Sequence, residues 1–186
     1  METSDLIRLI LLGMAVLFSA FFAGAEAAFL SVQRGKLAAL VADRVKGAER
    51  VERIAGRPEK LLPTVLTGNN LVNVAAAALG TALATSYLSP NWAVGASIGG
   101  VTVVLLLFGE ILPKTIAAKN AEGLAILLVR PLQVAQVLFF PAVWVLERFS
   151  SMVEWLFGLS GARLVTEEEI RALIDVAETE GVVEKA

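Results

Sequence analysis

Between Lys60 and Glu110 the chain carries no charge for 49 residues, Leu61 to Gly109. One bilayer crossing needs about 20 predominantly apolar residues. A silent run of this length therefore holds two crossings and a reversal. Ser89-Pro90-Asn91 marks the reversal, because Pro and Asn favour turns. The reading is two helices, about 61–88 and 92–116. Composition agrees: 56% of the residues are hydrophobic and 18% charged, against about 25% charged in soluble domains. Only helices and closed barrels satisfy their backbone in lipid, and runs this long suit helices. The expected class is all-α integral membrane.

The N-terminal apolar run starts at Leu9, after Arg8, and continues past Glu26 to Leu30. A cleaved signal would carry positive charge ahead of its apolar core, whereas Glu2 and Asp5 precede this one. It reads as a retained crossing, about 5–32. Eight of the sixteen basic residues lie between Arg34 and Lys60, with four acids among them. The positive-inside rule puts that connection in the cytoplasm. The N-terminus is then outside, the uncharged Ser89–Trp92 turn outside, and Lys114 and Lys119 inside. Three crossings in a cell (plasma) membrane follow.

Residues 124–159 are apolar enough for a fourth crossing, but Arg130, Gln133 and Gln136 interrupt them and Pro131 and Pro141 would kink them. Glu147, Ser151 and Glu154 form one stripe of the second half, and Phe149, Met152, Val153, Leu156 and Phe157 another. Spanning and lying along the inner interface are equally compatible with these residues. From Thr166 onward acids outnumber bases seven to two. Thr166 and Glu169 form a capping box, and Ile170, Leu173, Ile174 and Ala177 recur at helical spacing. Residues 161–186 read as an acidic amphipathic helix leading toward a cytosolic domain, or packing on the basic connection.

The chain has no histidine and no cysteine. Zinc, haem, iron–sulfur and copper sites of the usual kind are excluded, as are Ser-His-Asp and Cys-His catalytic sets. No enzymatic activity is expected. No phosphate-binding GxxxxGK[ST] loop occurs, and no nucleic-acid partner is expected. A metal handled here must be held by oxygen.

Polar groups inside spanning helices are costly and point to function by default. The first helix carries Ser19 and Glu26. The second carries Thr67-Gly68-Asn69-Asn70 and Asn73. The third carries Gly109-Glu110-Ile111-Leu112-Pro113-Lys114. At about 1.5 Å per residue, Ser19 lies roughly 18 Å, Asn70 roughly 13 Å and Glu110 roughly 9–12 Å from the cytoplasmic ends of their helices. With the helices alternating in direction, all three fall in the cytoplasmic half of the bilayer. Pro113 has no N–H, so the Gly109 carbonyl loses its helical partner and needs water, a side chain or an ion. The arrangement resembles the broken-helix ion sites of transporters.

The candidate ligands are the Ser19 hydroxyl, the Asn70 amide oxygen, the Glu110 carboxylate and the Gly109 carbonyl. Such hard oxygens suit Mg²⁺, Ca²⁺ or Na⁺. Glu26, Asn69 and Asn73 are second-tier candidates, shaping the site or serving a coupling ion, and Pro113 is the structural kink. Plainer roles compete with these. Ser19 can bond back to its own helix, and Glu26 can meet a nearby Lys or Arg. The asparagines can join helices, and Glu110 can pair with Lys114 at i+4. Ala76, Gly80 and Ala84, and Gly95 with Gly99, permit close helix contact within or between subunits.

Ser19-Ala-Phe-Phe-Ala-Gly-Ala-Glu26, Thr67-Gly-Asn-Asn-Leu-Val-Asn73 and Phe108-Gly-Glu-Ile-Leu-Pro-Lys114 together resemble the transmembrane module of the CNNM/CorC family of Mg²⁺ transporters. The third motif is the most specific, and the resemblance covers nearly the whole chain. It implies a homodimer in the lipid bilayer, with three crossings per subunit and a belt helix, about 123–159, on the cytoplasmic surface. Residues 1–160 would be the transporter domain. The acidic helix would lead to a cytosolic CBS-type domain, through which ATP regulates. The resemblance also implies Mg²⁺ bound between the helices and moved outward, with Na⁺ as coupling ion. Ala23 stands where many relatives have serine, so position 23 receives no ligand role. The competing class is a non-transporting membrane sensor or scaffold for cytosolic domains.

Overall fold

The computed structural model describes residues 3–88 and 90–157. The order of elements is α1 (Thr3–Ser31), α2 (Arg34–Ala42), α3 (Ala48–Ala55), α4 (Pro58–Tyr87), α5 (Pro90–Val104), a π-helical segment (Leu105–Ile111), α6 (Leu112–Lys119) and α7 (Ala121–Leu156). There is no strand among the described residues. The acidic helix expected from Thr166 lies outside them. The chain forms two compact units, Met1–Trp144 and Val145–Ala186. The described part of the second is the end of α7 and Phe157.

Among the described residues, three helices are long and apolar enough to cross a membrane: Thr3–Ser31, Ser97–Lys119 and Ala121–Val153. Leu17, Leu71, Val74, Ile98, Ile116 and Leu127 are among many large apolar side chains on the outside. A soluble monomer rarely exposes such a surface. The protein is therefore an all-α, multi-pass membrane protein. The expected second crossing is α4, which has 30 residues but is not one of these three apolar helices. Thr64, Thr67, Asn69, Asn70, Asn73, Thr81, Thr85 and Ser86 dilute its hydropathy. α7 is one of them and runs through Pro131 and Pro141.

Helix directions follow from paired contacts. Ser86 and Tyr87 at the end of α4 donate to Asp5 at the start of α1, at 3.2 and 3.0 Å. Farther along, Ser19 faces Asn69 and Asn73, and the Phe22 ring covers Gly68 so closely that no Cβ fits there. α1 and α4 are thus antiparallel. Ser19 also faces Gly109, Gly24 faces Pro113, and Glu26 binds Lys114, so the helix from the π segment through α6 runs parallel to α1. Thr81 meets Ser97 and Gly80 meets Val101, which makes α4 and α5 antiparallel. Gly80 and the buried Ala76 show that this small-residue stripe packs within the subunit. Nothing lies within 4 Å of a Cβ built at Gly95 or Gly99.

The basic connection is itself folded. Arg34–Ala42 and Ala48–Ala55 are short helices joined through Gly47, whose φ of 102° is a backbone conformation that glycine adopts without a Cβ penalty. Ala48, Val51 and Ile54 turn one face of α3 inward, leaving Arg50 and Arg53 exposed. With Leu37, they join Phe22, Ala25, Ala28 and Phe29 of α1, Leu61 and Val65 of α4, Ala117 of α6, and Ala125, Val129 and Leu132 of α7 in one core. Burying a Val or Ile from water contributes about 1.5–3 kcal/mol, so α3 docks firmly despite its charge. This part of α7 therefore packs with the basic helices α2 and α3.

Candidate metal centre

Three helices bring oxygen atoms to one point. Ser19 is fully buried on α1. Its Oγ lies 3.1 Å from Asn69 Oδ1, 3.1 Å from Asn73 Oδ1 and 3.4 Å from the Gly109 carbonyl oxygen. Asn69 and Asn73 stand at i and i+4 on one face of α4, as helical spacing requires. Their amide nitrogens donate to Glu110 Oε1 at 3.3 and 3.4 Å. Serine, two asparagines, a backbone carbonyl and a carboxylate thus form one connected cluster.

Its proton inventory is unusual. A serine hydroxyl has one hydrogen, yet three acceptor oxygens face this one. It can serve a single acceptor at a time. Each asparagine Nδ2 donates one N–H to Glu110 Oε1, while its Oδ1 faces Ser19. Hydroxyl, amide, carbonyl and carboxylate oxygens are the ligand types that hard cations take.

Close approach is built into the backbone. A Cβ on Gly109 would lie 2.8 Å from Ser19 Oγ and 3.1 Å from Ser19 Cβ, so only glycine lets α1 reach this carbonyl. The surrounding helix is widened. The Leu112 amide bonds the Leu107 carbonyl, five residues back. The next residue is Pro113, which has no N–H to extend that ladder. Seven residues, Leu105–Ile111, are π-helical, a form found mostly as short bulges and often at functional sites.

The remaining sequence candidates are placed as follows. Asn70 is exposed on α4 and outside the cluster. It follows Asn69 by one residue, about 100° around the helix. The amides facing Ser19 are therefore those of Asn69 and Asn73. Sequence reasoning ranked these lower, although their i, i+4 spacing was the available signal. Glu26 pairs with Lys114 at 2.8 Å, one level toward the basic helices. Lys114 is thereby engaged away from Glu110, which makes no ion pair among the described residues. Ala23 is fully buried and offers no polar atom. No group of three or more acidic, His or Cys side chains gathers among the described residues. The cluster has one carboxylate and neutral oxygens otherwise.

A bundle of apolar helices around a part-buried cluster of polar side chains defines a polytopic membrane protein with a polar centre. Residues 9–186 match the family model described as the Cyclin M (CNNM) transmembrane N-terminal domain, and the chain belongs to that family. It is 36% identical to the UPF0053 inner membrane protein YfjD of Escherichia coli over 84% of this chain and 37% of the relative. It is 32% identical to a UPF0053 protein of Haemophilus influenzae, over 90% of this chain and 40% of the relative. With the chloroplastic DUF21 domain-containing protein At1g55930 of Arabidopsis thaliana, identity is 33% over 100% of this chain and 28% of the relative. The chain spans two fifths or less of the length of these curated relatives.

Proposed function

We propose that this chain is the membrane domain of a Mg²⁺ transporter, and that the ion binds among Ser19 Oγ, the Asn69 and Asn73 amide oxygens, the Gly109 carbonyl and the Glu110 carboxylate. The observation that carries this reading is the single hydroxyl hydrogen shared among three acceptor oxygens. Neighbouring ligands of an octahedral Mg²⁺ at 2.0–2.1 Å lie about 2.9 Å apart. Separations of 3.1–3.4 Å need only a small contraction to reach that. One carboxylate among neutral oxygens holds a divalent ion weakly enough to release it, as transport requires.

In this reading the crossings are α1, α4 and the helix from α5 through α6. The positive-inside rule orients the α2–α3 helices to the cytoplasm and the N-terminus outward. α7 forms the belt beside those basic helices, and the C-terminal side is cytoplasmic. The protein works as a homodimer, moves Mg²⁺ outward in exchange for Na⁺, and answers to ATP through CBS-type domains beyond this chain.

The test is Mg²⁺ flux, read with an entrapped indicator in proteoliposomes, alongside Mg²⁺ binding by calorimetry. Asn73→Ala weakens binding at least tenfold, about 1.4 kcal/mol, while Asn70→Ala stays within about twofold of the parent. The opposite order would return the amide ligand to Asn70. Binding unaffected by either substitution, with no flux, would support the scaffold reading.

A further inference from the structure

A cleft adjoins the cluster. Between α4 and the helix from α5 through the π segment lies a cleft of about 280 Å³, lined by Asn73, Thr81, Ser97, Thr102 and Glu110 and, for the other half, by apolar side chains from Ala77 to Leu106. Asn73, Ala77 and Thr81 stand at i, i+4 and i+8, one face of α4 rising roughly 12 Å. The rise runs away from the basic helices α2 and α3, toward the end of α4 where Ser86 and Tyr87 bind Asp5. At its far end Thr81 Oγ1 and Ser97 Oγ are 3.0 Å apart. Thr102 lies between the two ends in sequence, and its hydroxyl makes no hydrogen bond among the described residues.

We propose that this cleft is the passage by which the ion leaves the cluster on the side away from the basic helices, with the Thr81–Ser97 pair as the constriction that closes it. The proposal rests on the transport reading above. Three observations carry it. The cleft begins at two residues of the cluster, Asn73 and Glu110, so an ion released from them enters it directly. Its hydroxyls at Thr102, Thr81 and Ser97 supply neutral oxygen along the route, able to stand in for lost waters and to let the ion go. Its volume suits a hydrated ion. A water occupies about 30 Å³, so the cleft has room for roughly nine, more than the six around an octahedral Mg²⁺.

The closure is made of weak parts. Thr81 Oγ1 also reaches the Ala77 carbonyl at 2.9 Å, and Ser97 Oγ reaches the Val94 carbonyl at 3.1 Å. Each hydroxyl can turn its hydrogen to its own helix, so the link between α4 and α5 breaks without stranding a donor. Gly80 against Val101 holds the helices together beside the link with apolar contact alone. A small separation of α4 from α5 at this level would open the route.

The protein has no cysteine, so a single introduced thiol reports without background. Thr102→Cys is reconstituted into proteoliposomes and treated with a charged, membrane-impermeant methanethiosulfonate. Its Mg²⁺ flux is read before and after treatment, so that each sample is its own reference. After treatment flux falls at least tenfold while Mg²⁺ binding stays within twofold. Val103→Cys, on the exposed apolar face, keeps its flux under the same treatment. Thr81→Val, which keeps the side-chain shape and removes the hydroxyl link that closes the route, raises flux and leaves binding unchanged. A Thr102 thiol that stays unmodified, or that is modified with flux intact, overturns the passage and leaves the transport reading standing. Absence of Mg²⁺ flux in the parent protein overturns both.

Discussion

Glu110→Gln removes Mg²⁺ binding from the cluster and leaves the helices assembled. The substitution keeps the size and one carbonyl oxygen of the side chain, so Asn69 and Asn73 can still donate to it at the 3.3–3.4 Å now seen to the carboxylate. What disappears is the one negative charge of the cluster. Lys114 does not take part, because Glu26 holds it at 2.8 Å, so no cation is stranded. A divalent ion surrounded only by neutral oxygens at membrane depth lacks the term that offsets its dehydration. Affinity falls at least 100-fold, about 2.7 kcal/mol, in a calorimetric titration, with an unchanged gel-filtration profile and helical circular dichroism. Binding at parent affinity would remove Glu110 from the site.

Gly109→Ala has the second large effect, by a steric route. The new methyl group would meet Ser19 Oγ at 2.8 Å, with both atoms attached to helices packed on either side. α1 must withdraw by several tenths of an ångström, and the carbonyl is no longer within reach of Ser19. Binding weakens at least tenfold, about 1.4 kcal/mol, and thermal stability in detergent falls with it. Ser19→Gly in the same chain relieves the clash and recovers stability, but not binding, because the hydroxyl is then missing. A double-mutant cycle separates the two effects. Recovery of both together would mean that Gly109 matters only for packing.

These two residues also show what the sequence made readable. Glu110 and Gly109 stood out because a carboxylate, a glycine and Pro113 within five positions of an apolar stretch leave a carbonyl without its helical partner. Ser19 joined them because the depths coincide only when the helices alternate in direction. The fold class followed from the 49-residue silent run and the apolar N-terminus.

The rest depended on packing partners that a single helix does not specify. Which face of α4 points to α1 is decided by Phe22 lying over Gly68, a contact between residues 46 apart in the chain. That face carries Asn69 and Asn73 rather than Asn70. The π-helical widening likewise needs a choice between two hydrogen-bond ladders, and Pro113 interrupts both. The basic stretch from Arg34 to Lys60 read as a connection because its charges dominate. Its folding into α2 and α3 rests on a few apolar residues, Leu37, Val51 and Ile54, meeting α1 and α7.

The proposed ion lies among the oxygens of Ser19, Asn69, Asn73, Gly109 and Glu110. The most direct measurement is an anomalous difference map from crystals of the protein grown with Mn²⁺ in place of Mg²⁺. The predicted result is a peak bonded to Ser19 Oγ, the Gly109 carbonyl and a Glu110 oxygen at about 2.0–2.3 Å, which excess Mg²⁺ abolishes. A saturated crystal with no peak there, or with its peak elsewhere in the membrane region, would contradict it.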